Sequence, residues 1–255
     1  MTKKALVIGC NYLGTESQLG GCINDANRIK DFLLSKQGFT GDNVVVLTDD
    51  QEDPLKKPTK NNIISSFNNL VLNAKKGDYL FFSYSGHGSY VLDRSGDEDD
   101  YYDETIVPLD FDKNGQIVDD WFKSMVNLLP AGSKMFAILD SCFSGTAFDL
   151  KYLIKQQGSE TNTYTFQESK KYSSTKAEVV MLSGCRDNQT SIDAVIDKIP
   201  TGVLTQAFLT TLNSGNSCYS NLLKKVRKYI QSSNLSDQVP QLSFGKSVDL
   251  NNLVF

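Results

Sequence analysis

A lone histidine and one well-placed cysteine are the residues of this chain best suited to chemistry. His87 stands in Tyr84-Ser85-Gly86-His87-Gly88, directly after an apolar run, and 55 residues later a second apolar run ends in Asp140-Ser141-Cys142-Phe143-Ser144-Gly145. The thiolate is the nucleophilic form of cysteine, so a catalytic cysteine needs a base beside it. His87 is the only imidazole available for that role, and it could then protonate a leaving amine. The backbone N–H groups of Gly88 and Cys142 would face a carbonyl under attack and serve as oxyanion donors. A competing reading makes Cys142 a small buried apolar residue and His87 a turn residue. Strand-end placement of both, with glycines alongside, favours chemistry.

Positioning these two groups falls to short apolar runs that alternate with helical patterns. Residues 5–8, 44–47, 79–82, 135–139 and 179–182 read as strands buried on both faces. Ala26, Ile29, Phe32 and Leu33 recur at helical spacing before Gly38, and Ile63, Ile64, Phe67, Leu70 and Val71 do so within 59–74. Two more helical patterns span 203–213 and 218–231, followed by a last strand near 242–244. The alternation predicts an α/β fold, a mostly parallel central sheet with helices on both faces. Sites in such sheets form beyond the carboxyl ends of the strands. His87 follows the third run and Cys142 the fourth, so neighbouring strands would bring both to one rim. Residues 156–176, rich in Gly, Ser, Thr, Asn, Gln and Lys, read as a flexible surface linker between 1–155 and 177–255. Its Lys170, Lys171 and Lys176, with Lys155 just before it, are what any solvated linker carries.

Composition narrows the setting. The net charge is −4, yet residues 93–120 hold eleven acidic and two basic residues, a local net of −9. No basic stripe suggests nucleic acid, and no apolar stretch reaches membrane-spanning length. Five scattered cysteines do not suggest a disulfide framework. With no targeting signal read at the N-terminus, the expectation is a cytoplasmic protein without a membrane partner.

The histidine and cysteine motifs resemble those of the metacaspases, caspase-like cysteine peptidases. The resemblance extends to Gly21-Cys22-Ile23-Asn24-Asp25-Ala26, Leu47-Thr48-Asp49-Asp50, Gly96-Asp97-Glu98, Ile117-Val118-Asp119-Asp120, Ser183-Gly184-Cys185 to Ser191 and Pro240-Gln241-Leu242-Ser243, close to the whole chain. It implies a single caspase-like domain over 1–255, similar to a bare type I core. It also implies a monomeric endopeptidase acting on proteins or peptides after Arg or Lys, through a His87–Cys142 dyad. Cys22, Asp25, Ser85 and Asp140 would line the pocket for the basic side chain, and two carboxylates there suit a guanidinium or ammonium. The bland alternative has Asp25 starting a helix and Asp140 capping a turn. The resemblance further implies activation by calcium, a hard cation that takes oxygen ligands, held by Asp103, Asp119, Asp120 and Asp149. Its rival is a solvated acidic loop that binds nothing specific. Phe143 departs from the family, in which a histidine often follows the cysteine. Two other classes remain: an inactive homologue acting as a scaffold, and a Cys–His acyl transferase or hydrolase with no need of an acidic pocket.

Overall fold

Apolar runs with no polar alternation are best satisfied between two layers of helices, and four of the five form the middle of one large sheet. The run 44–47, expected to be buried on both faces, is instead its edge strand, with Val45 40% exposed. The structure, a computed structural model, describes residues 1–93, 101–142, 147–156, 164–184, 193–196, 199–215, 217–233 and 238–255. The first part runs β1 (Lys3–Gly9), α1 (Cys22–Lys36), β2 (Val44–Thr48), α2 (Lys60–Leu72), β3 (Tyr79–Ser85), β4 (Gly88–Leu92), β5 (Tyr102–Ile106), α3 (Phe111–Asn114), β6 (Ile117–Val118), α4 (Asp119–Val126) and β7 (Lys134–Asp140). It continues through β8 (Tyr152–Gln156), β9 (Tyr164–Glu168), β10 (Glu178–Ser183), β11 (Asp193–Ile196), β12 (Ile199–Gly202), α5 (Val203–Asn213), α6 (Tyr219–Ser233) and β13 (Gln241–Phe244).

The main sheet has eight strands in the order β2-β1-β3-β7-β10-β13-β8-β9. The first five are mutually parallel, and β13, β8 and β9 add on antiparallel. Alternate residues of each central strand face opposite layers. Ala5, Val7, Phe81, Phe136, Ile138, Val180 and Leu182 pack with α1, α5 and α6. Leu6, Ile8, Leu80, Phe82, Met135, Ala137 and Leu139 pack with α2 and α4.

Helix ends follow local chemistry. The Thr59 hydroxyl accepts from Asn62 N at the start of α2, satisfying one of the first-turn donors that have no intrahelical partner. After α1, Gly38 adopts φ +70° while Gln37 N and Phe39 N both donate to Leu33 O, a left-handed glycine stop. On the α2 face, Phe67 meets the rings of Phe82, Phe122, Trp121 and Phe148 at centroid distances of 5.0, 5.1, 5.5 and 6.2 Å. Phe67→Ala is therefore expected to cost about 3–5 kcal/mol, read as a lowered midpoint in denaturant unfolding.

Three other features differ from the sequence expectations. Inside the segment read as a flexible linker, Tyr164–Glu168 is a strand that pairs with β8 in a hairpin at the sheet edge. An edge strand needs no continuous apolar run, so its polar composition hid it. The acidic stretch contains a second sheet, β4-β5-β6, and β11 with β12 forms a further hairpin. These strands are two to five residues long and lack the continuous apolar run of the central strands.

Candidate active site

The register of the central strands decides where the two motifs end. Gly9 pairs with Ser85 and Ser85 with Asp140, so the carboxyl ends of β1, β3 and β7 form one row. His87 and Cys142 each lie two residues beyond that row. Their backbones meet directly: a Cβ built on Gly88 would stand 1.9 Å from Cys142 O and 3.3 Å from Cys142 N. Only glycine permits this approach, and Gly88 and Cys142, the two oxyanion candidates, lie within one contact. Cys142 is half-buried.

His87 is held from several sides. Its Nε2 lies 2.7 Å from Ser17 O. A carbonyl can only accept, so Nε2 carries the hydrogen of the neutral ring, and Nδ1 is the nitrogen able to take a proton. The Tyr12 ring lies 4.7 Å from the imidazole, centroid to centroid, tilted by 37°. His87 N donates to Tyr12 Oη at 3.0 Å, and Tyr84 Oη donates to His87 O at 2.7 Å.

Beside the dyad motifs sit the four residues expected to line a pocket. Ser85 and Asp140 end β3 and β7, Cys22 begins α1, and Asp25 lies in its first turn. Cys22 reaches this row because its carbonyl packs on Gly9, where a Cβ would come within 2.2 Å. All four are buried, Asp25 to 1% and Asp140 to 6% exposure. The two carboxylates converge on Gly202: a Cβ there would stand 2.1 Å from Asp140 Oδ2 and 2.9 Å from Asp25 Oδ2. Asp25 Oδ1 accepts from Thr201 Oγ1 at 2.5 Å and its Oδ2 from Gly202 N at 2.8 Å. Asp140 Oδ2 accepts from Thr205 N at 2.8 Å, a first-turn donor of α5 that has no intrahelical partner. Asp140 thus caps the start of a helix 65 residues away. Burial and the neighbouring Asp140 push the Asp25 carboxyl well above the usual range. Arg28 opposes the shift; it donates to Thr201 Oγ1 at 2.8 Å and to Gln206 Oε1 at 2.5 Å.

Comparison with known proteins identifies this arrangement. Residues 3–151 match the family model "Metacaspase, peptidase C14 domain". The Metacaspase-1 proteins of Coccidioides immitis and Pyricularia oryzae are each 39% identical over 98% and 99% of this chain, and the alignments cover 63% and 74% of those proteins. The chain belongs to the metacaspases. These are cysteine peptidases of the C14 family. A crystal structure of a protein from Geobacter sulfurreducens has the same fold, with a TM-score of 0.68 and 25% identity over 98% of this chain and 95% of its own. This metacaspase spans about two thirds of the length of the two relatives named.

The acidic residues expected to bind a metal lie around β5 and α4. Asp103, Asp119 and Asp149 are buried and Asp120 is half-buried. Asp119 Oδ2 accepts from Glu104 N and its Oδ1 from Asp120 N, both at 2.8 Å. Burial, a hydrogen bond with the Glu104 side chain and its charge push the Asp119 carboxyl up to about 9. Asp149, at φ +46°, takes the Lys123 ammonium on its backbone carbonyl. Among the described residues, no group of three or more His, Cys, Asp or Glu side chains is gathered that could hold a metal ion. An oxygen-only set of carboxylates has the right chemistry for calcium, but it is not drawn together here. Phe143, Gly96-Asp97-Glu98 and Cys185 to Ser191 lie outside the described residues. No helix among the described residues is long and apolar enough to cross a membrane.

Sequence reasoning missed Ser17, Tyr12, Thr201, Gly202 and Thr205. The carbonyl of Ser17 and the N–H groups of Gly202 and Thr205 are backbone atoms, which carry no side-chain signature. Thr201 lies 176 residues from the carboxylate it serves. Tyr12 alone left a trace, as an aromatic residue between Asn11 and Gly14 in the loop after the first strand.

Proposed function

We propose that this metacaspase is an endopeptidase that cleaves after Arg or Lys through His87 and Cys142, and that calcium stimulates it. The observation that carries the reading is the direct backbone contact of Gly88 with Cys142, on the rim where two buried carboxylates converge. His87 Nδ1 takes the thiol proton and the sulfur attacks the scissile carbonyl carbon. The Gly88 and Cys142 N–H groups hold the oxyanion. Collapse expels the amine, which takes the proton from the imidazolium, and leaves a thioester. Water, deprotonated by His87, then releases the acid and restores the thiol. Asp140 supplies negative charge for a guanidinium or ammonium next to the cleaved bond, Asp25 adds to it in its ionised form, and Cys22 and Ser85 are further walls.

The test is hydrolysis of fluorogenic peptides ending in Arg, Lys or Asp, with and without calcium. Turnover of the first two and none of the Asp peptide is expected. Absence of all turnover would favour the scaffold reading, and equal turnover of an uncharged acyl ester would favour an acyl hydrolase.

Asp103, Asp119, Asp120 and Asp149 would hold the calcium ion, which would draw these carboxylates together and order the segments that carry them. The Asp119–Glu104 pair supports this, because a divalent cation offsets the burial and the like charge that push the Asp119 carboxyl up. Calcium is expected to raise the melting temperature, since an ion at 100 times its Kd adds about 2.7 kcal/mol. Asp119→Asn should remove most of that shift in a thermal melt. An equal calcium shift in the variant would refute the assignment.

A further inference from the structure

The loop between β1 and α1 has no part in the dyad, yet it is built around His87. Asp49, buried just after β2, accepts from Asn11 N on Oδ1 at 2.9 Å and from Leu13 N on Oδ2 at 3.0 Å. The two donors flank Tyr12, whose φ is +53°. That is a costly conformation for an aromatic residue, and the bidentate grip of Asp49 holds it. In this pose Tyr12 is fully buried, its ring lies on the imidazole, and its hydroxyl accepts from His87 N while donating to Val107 O at 2.6 Å.

The same turn places the carbonyl that meets Nε2. Thr15 N and Thr15 Oγ1 both donate to Tyr12 O, Ser17 N donates to Thr15 Oγ1, and Leu19 N returns to Asn11 O. Ser17 O is therefore fixed by a chain of bonds that begins at Tyr12. One acidic side chain thus governs both the ring stacked on His87 and the acceptor that selects its tautomer.

We propose that Tyr12 and Asp49 are positioning residues for His87: Asp49 locks the strained loop, and Tyr12 holds the imidazole face and orders the Ser17 carbonyl. This rests on the dyad reading above. A misplacement of the base by about 1 Å costs on the order of 100-fold in rate, while binding of the basic side chain at Asp25 and Asp140 is untouched. The expected signature is a loss in kcat with little change in KM.

Three variants test it, with thermal melts to confirm folding. Tyr12→Gly keeps the backbone, because glycine accepts φ +53°, and removes ring and hydroxyl. It should lower kcat by about 30–100-fold and leave KM within about twofold. Asp49→Asn, which turns an amide NH2 toward a backbone N–H, should lower kcat by about tenfold. Tyr12→Phe keeps the ring and should recover most of the loss. Iodoacetamide labelling of Cys142, followed by peptide mapping with Cys218 as the internal reference, should slow in Tyr12→Gly and Asp49→Asn. Wild-type kcat and labelling in folded Asp49→Asn and Tyr12→Gly would overturn the proposal; should Tyr12→Gly not fold, Asp49→Asn and Tyr12→Phe decide it. His87→Ala runs alongside: activity surviving that change sinks the dyad itself, whereas its loss with intact Asp49→Asn and Tyr12→Gly sinks only the positioning role.

Discussion

Cys142→Ala is expected to lower kcat for an Arg-terminated peptide by about 10⁴-fold or more, and His87→Ala to lower it by about 10²–10⁴-fold. The two losses should not add. In the proposed mechanism nucleophile and base act as one unit, so the double variant should be no slower than Cys142→Ala alone. Alanine at either position leaves the pocket carboxylates in place, and an Arg-terminated inhibitor should bind both variants with near-wild-type affinity. This separation of turnover from binding is the point of the measurement. A Cys142→Ala protein that still turned over peptide would remove the thiol from the mechanism. Additive losses in the double variant would mean that His87 works on something other than Cys142.

The second large effect belongs to Asp140. Asparagine retains an acceptor for Thr205 N, so the start of α5 stays capped, but the charge is gone. A hydrogen bond to a charged group is worth about 1.5–3 kcal/mol, and kcat/KM for Arg peptides should fall about 10–100-fold, mostly through KM. Asp25→Asn should cost less near neutral pH, because burial and Asp140 push the Asp25 carboxyl well above its usual range. The sign of the pH dependence follows. A carboxyl with a raised pKa keeps its proton as pH rises into the neutral range, and a guanidinium favours the form that has lost it. KM for Arg peptides should therefore fall as pH rises, and Asp25→Asn should flatten that slope. Gly202→Ala offers a steric counterpart, since its Cβ would collide with Asp140 Oδ2. Arg turnover should drop, while titration with a small thiol reagent should find Cys142 still reactive.

Much of this was legible in the chain itself. Four of the five uninterrupted apolar runs are interior strands, because such runs need helices on both faces; the fifth, 44–47, is the edge strand β2, and its first three residues are not fully buried. The motifs at the ends of the third and fourth runs had to share a rim once those strands were neighbours. The pairing of Ser85 with Asp140 makes them so. Asp25 and Asp140 stand out through the resemblance of their motifs to those of the metacaspases, with the chemistry of paired carboxylates for a basic side chain agreeing. Composition marks the acidic stretch 93–120, and the resemblance supplies Asp103, Asp119, Asp120 and Asp149 within and beyond it, although not how they pair.

Tertiary structure alone decided the rest. Strands that are short, edge-placed or half-exposed, such as β4–β6 and Tyr164–Glu168, need no periodic apolar signal, so composition disguised them as loop. The partners of the pocket carboxylates come from Thr201–Thr205, and the acceptor for His87 Nε2 is the carbonyl of Ser17. Backbone atoms are identical at every residue, and contacts across 60 to 180 positions leave no local pattern. Only the folded chain could bring them to His87, Asp25 and Asp140.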